Sequence, residues 1–140
     1  MTMISRLKEP EELDQILPLI IEFHANNLFY SYYSLSSFIA FITNNCISPF
    51  FSIWIAKEND AIVGYAIATI DIKYQVKECI IYDAYSKSTD TDIVKLCFEE
   101  IEDWAKDSGC KYISCYSDRA EALEKKYGFE KVSTFMIKKL

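Results

Sequence analysis

The chain has 140 residues, 51% hydrophobic, 26% charged and 15% aromatic, with a formal net charge of −6. That length fits one domain, residues 1–140, long enough to bury a sizeable core, and the apolar fraction argues against disorder. The acidic balance argues against nucleic acid or an anionic membrane as partner, because no surplus of Lys and Arg is available to displace counterions. No segment reaches the roughly 18 consecutive apolar residues of a bilayer span. The opening MTMISRLKEPEEL lacks the apolar stretch of a signal peptide, so a cytoplasmic protein is expected.

Taken in chain order, Ile4 to Leu7 reads as a short strand. Pro10, Glu11 and Glu12 open a helix, since Pro suits the first helical position and carboxylates suit the positive end of the dipole. Leu13, Ile16, Leu17, Ile20, Ile21 and Phe23 recur at helical spacing, with Pro18 inside the pattern as an expected kink. An aromatic connection, Leu28 to Tyr33, follows. Ser34 caps a second helix that carries Leu35, Phe38, Ile39, Phe41 and Ile42 and ends at Asn44-Asn45. Phe50 to Lys57 and Ala61 to Asp71 form a hairpin about the turn Glu58-Asn59-Asp60. Lys77 to Ala84 is a third strand, apolar in its middle as a central strand should be. After a polar loop, Tyr85 to Asp90, an amphipathic helix places Ile93, Val94, Cys97, Phe98, Ile101, Trp104 and Ala105 on one stripe and stops at Gly109. Lys111 to Tyr116 is a strand. Asp118 with Glu121 starts a short helix ending at Gly128, and Phe129 to Leu140 reads as a terminal strand or bent strand pair.

The order β-α-α-β-β-β-α-β-α-β implies an α/β domain with a mixed central sheet and helices on both faces. The five cysteines (Cys46, Cys79, Cys97, Cys110 and Cys115) are odd in number and lack CxxC spacing, and His24 is the only histidine. They read as small core hydrophobes rather than as a disulfide framework or zinc site, and no metal is expected.

The stretch W-A-K-D-S-G-C-K-Y-I over 104–113, followed by Y-G-F-E-K-V over 127–132, resembles the acetyl-CoA half of the GCN5-related N-acetyltransferases, the GNAT superfamily. The element order extends the resemblance over the whole chain. The resemblance implies acyl transfer from acetyl-CoA to an amine by direct attack. It implies that the strand at 77–84 parts from the strand at 111–116 and offers backbone groups at Tyr82 and Ala84 to the pantetheine arm. The family's pyrophosphate turn falls on Thr89, Asp90, Asp92 and Val94, at a helix N-terminus suited to anions. A glutamate base corresponds to Glu78. Tyr116, at the end of the neighbouring strand, is a candidate donor to the leaving thiolate, and Tyr30, Tyr32 and Tyr33 fall on the acceptor loop. By parity, Glu78, Ile80, Tyr82 and Ala84 should face one side of the sheet.

The chain departs from the family pattern in its pyrophosphate turn. Thr89 stands at the Arg/Gln position, and Asp92 and Val94 stand where the motif has glycine. A carboxylate about 5 Å from a phosphate charge costs roughly 3 kcal/mol at an effective dielectric near 20. Asp90 or Asp92 also suits a helix N-cap, which would occupy the donors a phosphate uses. Glu124 replaces the tyrosine acid of many relatives. Two readings follow. One is an N-acyltransferase with an altered cofactor turn, acting on a small-molecule or protein amine. The other is a GNAT-fold protein that has lost CoA binding and serves as an interaction module. A protein partner and a homodimer are both compatible with the sequence.

Overall fold

Two tight hairpins build the centre of the sheet. The computed structural model describes residues 2–27, 32–88, 91–117 and 120–140, with Thr91 and Ala120 as backbone alone. Strand β2 (Phe51–Glu58) turns through Asn59-Asp60 into β3 (Ala61–Lys73), which turns through Tyr74-Gln75 into β4 (Val76–Ser86). All four turn residues have positive φ, between 51° and 69°, the sign that matches the twist of antiparallel strands. β1 (Thr2–Arg6) pairs antiparallel with β2, and β5 (Tyr112–Cys115) pairs parallel with β4, so the sheet is mixed with order β1-β2-β3-β4-β5.

Helices α1 (Leu13–Ala25) and α2 (Leu35–Asn45) cover one face. The expected helix start at Pro10 is a 3-10 turn, Pro10–Glu12, where the Glu12 carboxylate accepts from the Glu9 and Lys8 amides at 2.9 and 3.0 Å. α1 runs on through Pro18. Leu13, Ile16, Leu19 and Ile20 bury against Ile53, Ile55, Tyr65 and Ile67 of the sheet, while Ile21 faces solvent. Ser34 caps α2 by accepting from the Ser37 amide at 3.2 Å.

Helix α3 (Thr91–Asp107) covers the opposite face. Ile101 and Ala105 pack with Trp54, Ala66, Ala68, Cys79 and Ile81, and Trp54 meets Trp104 edge to face. Gly109, at φ 81°, ends it: the Cys110 amide reaches back to Ala105 and the Gly109 amide to Lys106, a left-handed helix terminator. α4 (Ala120–Tyr127) is tied to α3 through Phe98, whose ring lies 4.6 Å from Tyr127 and 5.6 Å from Phe129. The capping pair expected at Asp118 lies outside the described residues.

The expected terminal strand is absent. Residues 128–140 follow no ladder and leave Val132, Met136 and Leu140 in solvent. Their apolar positions do not alternate, and β5 beside them is only four residues long, so neither side supplies a period-two partner.

Candidate active site

The site begins where β4 and β5 part. Their parallel ladder runs from Glu78–Tyr112 to Ile81–Cys115 and stops, while β4 continues beside β3 to Ser86. The parting coincides with a β-bulge. Ala68 faces Ile81 and Ile67 faces Asp83, so Tyr82 is an extra residue with no opposite number on β3. A bulge bends its strand and reverses the alternation of faces beyond it.

That reversal corrects one expectation. Cys79 and Ile81 pack toward α3, so Glu78, Ile80 and Tyr82 face α1 and α2, in agreement with the parity argument. Beyond the bulge Tyr85 stacks on Phe23 of α1 at 4.9 Å, which turns Ala84 to the α3 side. Ala84 therefore does not share a face with Tyr82; its place beside the parting strands is backbone only.

Tyr82, 43% exposed, forms one end of a shallow depression walled by Phe41, Phe50 and Phe51 and edged by Asn45, Thr69 and Asp71. Its ring meets Phe41 edge to face at 5.6 Å. Glu78 lies cross-strand from Asp71, its side chain 19% exposed and its carboxylate 3.6 Å from Lys73. Tyr116 stands just past β5, 69% exposed, with Phe135 of the C-terminal segment 5.0 Å away. Lys139 of the same segment lies over the ring of Tyr32, so this segment reaches from the end of β5 to the residues just before α2. Tyr33 is exposed beside it. Tyr30, Thr89 and Asp90 lie outside the described residues.

Three residues given no role from the sequence lie buried together next to this region. Asp83 Oδ2 accepts the Tyr65 hydroxyl at 2.9 Å and lies 2.9 Å from His24 Nε2. The His24 and Asp83 side chains are 6% and 0% exposed. The signal was present: a carboxylate in a central apolar strand must find donors. Burial pushes the Cys115 thiol up, away from the thiolate a nucleophile requires. Among the described residues no three His, Cys, Asp or Glu side chains group as metal ligands.

The fit to a CoA-type cofactor divides at the end of β4. The stretch of β4 beyond Ile81, outside the β5 ladder, suits an arm that binds through backbone hydrogen bonds. The turn after it does not suit a diphosphate as well. Residues 85–94 contain no glycine, Asp92 is exposed on the first turn of α3, and Lys87 pairs with Glu22 at 3.4 Å. Exposure softens the conflict: in water, a carboxylate about 5 Å from a phosphate charge costs about 0.8 kcal/mol.

No family model and no curated protein matches the chain. Solved structures do. Aminoglycoside N-acetyltransferase AAC(6')-Iy in complex with CoA superposes over 100% of this chain and 95% of its own, with TM-score 0.76 and 12% identity. Its fold is the GNAT acetyltransferase fold. Aminoglycoside acetyltransferase HMB0005, from an uncultured soil metagenomic sample, gives TM-score 0.73 at 22% identity over 100% of this chain and 99% of its own. Glucosamine-6-phosphate N-acetyltransferase from Arabidopsis thaliana gives 0.73 at 17%, over 99% and 98%. Against this GNAT frame the bulge at Tyr82 lies on the strand that the sequence resemblance assigns to the pantetheine arm. No described helix is long and apolar enough to cross a membrane.

Proposed function

We propose that the protein is an N-acyltransferase that moves an acetyl or other acyl group from acyl-CoA to the amine of a small cationic molecule. The observation that carries this is the end of the parallel ladder at Ile81–Cys115 while β4 continues to Ser86. Acetyl-CoA would supply the activated acyl group. The backbone of Tyr82 to Ser86 would hold the pantetheine arm, and the first turn of α3, at Asp92 and Val94, would meet the diphosphate together with Thr89 and Asp90.

The acceptor takes the depression beside Tyr82. Its rings suit the apolar face of a sugar or an aromatic body, and Asp71 and Glu78 draw the ammonium group. Transfer forms the C–N bond and breaks the thioester C–S bond. The amine proton would travel to Glu78 along a chain of waters, because Glu78 stands four residues before Tyr82, about 13 Å along the strand and beyond direct reach. The Tyr116 hydroxyl donates to the departing sulfur. Tyr32 and Tyr33 line the entry from the α1–α2 connection. The solved neighbours that act on aminoglycosides and glucosamine-6-phosphate support a small-molecule amine.

The test is calorimetric titration of acetyl-CoA, followed by a thiol-release assay with glucosamine and spermidine as probe amines. Binding together with amine-dependent CoA release supports the reading. No heat and no thermal shift at about 1 mM acetyl-CoA overturns it, since a ligand at 100 times its Kd stabilises by about 2.7 kcal/mol. A second reading, an interaction module without cofactor, is favoured by Asp92 and the glycine-free turn, and that same null result would support it.

A further inference from the structure

The buried group His24, Asp83 and Tyr65 has no role in the transfer described above, and its position is informative. Asp83 is the residue that follows the bulge. Had β4 kept its alternation past Ile81, Asp83 would face α3, whose packing surface there is Cys79, Ile81, Ala66 and Ala68. The bulge instead sends it to the α1 face, where both donors are waiting. One comes from the middle of β3 and one from the last turn of α1, and they converge on the same oxygen at 2.9 Å each. Aromatic rings pack around the group: Phe38 lies 4.9 Å from the His24 ring, and Phe23 stacks on Tyr85.

A carboxylate in such a place is poor value as stability alone, because well-packed apolar residues commonly do as well or better. What it supplies is geometry. Tyr65 anchors Asp83 to the neighbouring strand, and His24 anchors it to a helix end. The two attachments come from different elements, so together they fix both the rotation of β4 about its own axis and its distance from α1. The register slip at Tyr82 then has one setting.

From this we infer that His24 and Tyr65 are positioning residues acting through Asp83: they lock the bulge so that the backbone of residues 82–86 presents its hydrogen-bonding groups to the thioester in a fixed direction. The inference rests on the acyltransferase reading, and it concerns alignment rather than contact with substrate. Donors that must be aimed before reaction affect the transition state more than the ground state. Loosening the lock should therefore lower kcat more than it weakens the cofactor affinity that the same backbone supplies.

The experiment compares wild type, Tyr65→Phe, His24→Leu and His24→Gln. Tyr65→Phe removes one oxygen. His24→Gln keeps an N–H donor near the place of Nε2, and His24→Leu removes it. Amide hydrogen exchange over residues 82–86 is measured first, in the cofactor-free protein. Tyr65→Phe and His24→Leu should speed it about tenfold relative to the β2–β3 amides, and His24→Gln should restore it. In the acylation assay the same two variants should lose about tenfold in kcat, with the KM for acetyl-CoA within about threefold and His24→Gln recovering most of the loss. If His24→Leu does not fold, Tyr65→Phe decides alone. Unchanged exchange overturns the lock. Faster exchange with unchanged kcat overturns the positioning role. A wild-type protein that neither binds nor uses acetyl-CoA overturns the acyltransferase reading instead, and the exchange measurement still decides whether the bulge is locked.

Discussion

Tyr65 and Asp83 lie 18 residues apart in sequence and meet across neighbouring strands, the phenol donating to a carboxylate oxygen at 2.9 Å in a site closed to solvent. A hydrogen bond to a buried charged group contributes about 1.5–3 kcal/mol. Tyr65→Phe should therefore lower unfolding free energy by about 1.5 kcal/mol in urea denaturation, with an unchanged m value. A loss below about 0.5 kcal/mol would mean that the hydroxyl is satisfied equally well elsewhere.

Asp92 stands exposed on the first turn of α3, where the proposed acyltransferase reading puts the diphosphate. Removing a screened charge about 5 Å from a phosphate is worth about 0.8 kcal/mol, or roughly fourfold in affinity. Asp92→Gly should tighten acetyl-CoA binding by about that factor in calorimetry at low salt, and the gain should shrink at high salt. Weaker binding would show that the carboxylate serves the turn rather than opposing the ligand.

Gly64 pairs with Ser86, and a Cβ on it would come within 2.7 Å of the Tyr85 carbonyl oxygen, a backbone atom that cannot swing aside. Gly64→Ala should cost about 1–3 kcal/mol, read as a lower denaturation midpoint, because the end of β4 must shift away from β3. An unchanged midpoint would mean that the two strands separate there without loss.

The turn between β3 and β4 places Tyr74 and Gln75 at φ 51° and 69°, the conformation that Asn-Gly adopts with least strain. Tyr74 is fully in solvent, so nothing packed is lost by replacing it. The pair Tyr74→Asn, Gln75→Gly should raise stability by about 0.5–1 kcal/mol, visible as a higher Tm. A lower Tm would show that the native pair makes contacts outweighing its backbone strain.

Burial pushes the thiols of Cys79 and Cys97 up to about 12 from an ordinary value near 9. The unfolded chain ionises first, so the stability these groups contribute is complete below pH 9 and is lost as pH rises from 9 toward 12, by about 1 kcal/mol per pH unit for each thiol. Cys97→Ala should flatten that alkaline decline in urea titrations at pH 8 to 10.5. An identical slope in both proteins would mean that the thiol ionises as readily in the folded state.

Much of the architecture is legible in the sequence because it is written locally. Ser34 as a cap, Gly109 as a terminator and the α3 stripe each need only a few adjacent residues, and all three are found where the spacing puts them. The bulge is different. It is a relation between β3 and β4, set by which residue is left without an opposite, and an alternating pattern read along β4 alone carries straight past Tyr82 to Ala84. The sequence shows His24 as the only histidine and Asp83 next to the apolar run of β4, but their pairing depends on that same slip. The C-terminal segment misleads for the opposite reason. Phe135 and Ile137 have strand-like character, yet a strand needs a neighbour, and composition does not supply one.

The single supernumerary residue on β4 binds two traits into one inheritance. Delete Tyr82, and the strand regains an unbroken alternation: β4 could zip further along β5, while Asp83 would swing into the oily contact with α3 and leave both its donors behind. Losing the extra residue to close the cleft would in the same step turn Asp83 away from His24 and Tyr65. Kin of this chain should therefore keep the gap and the inward-facing carboxylate together or abandon them together.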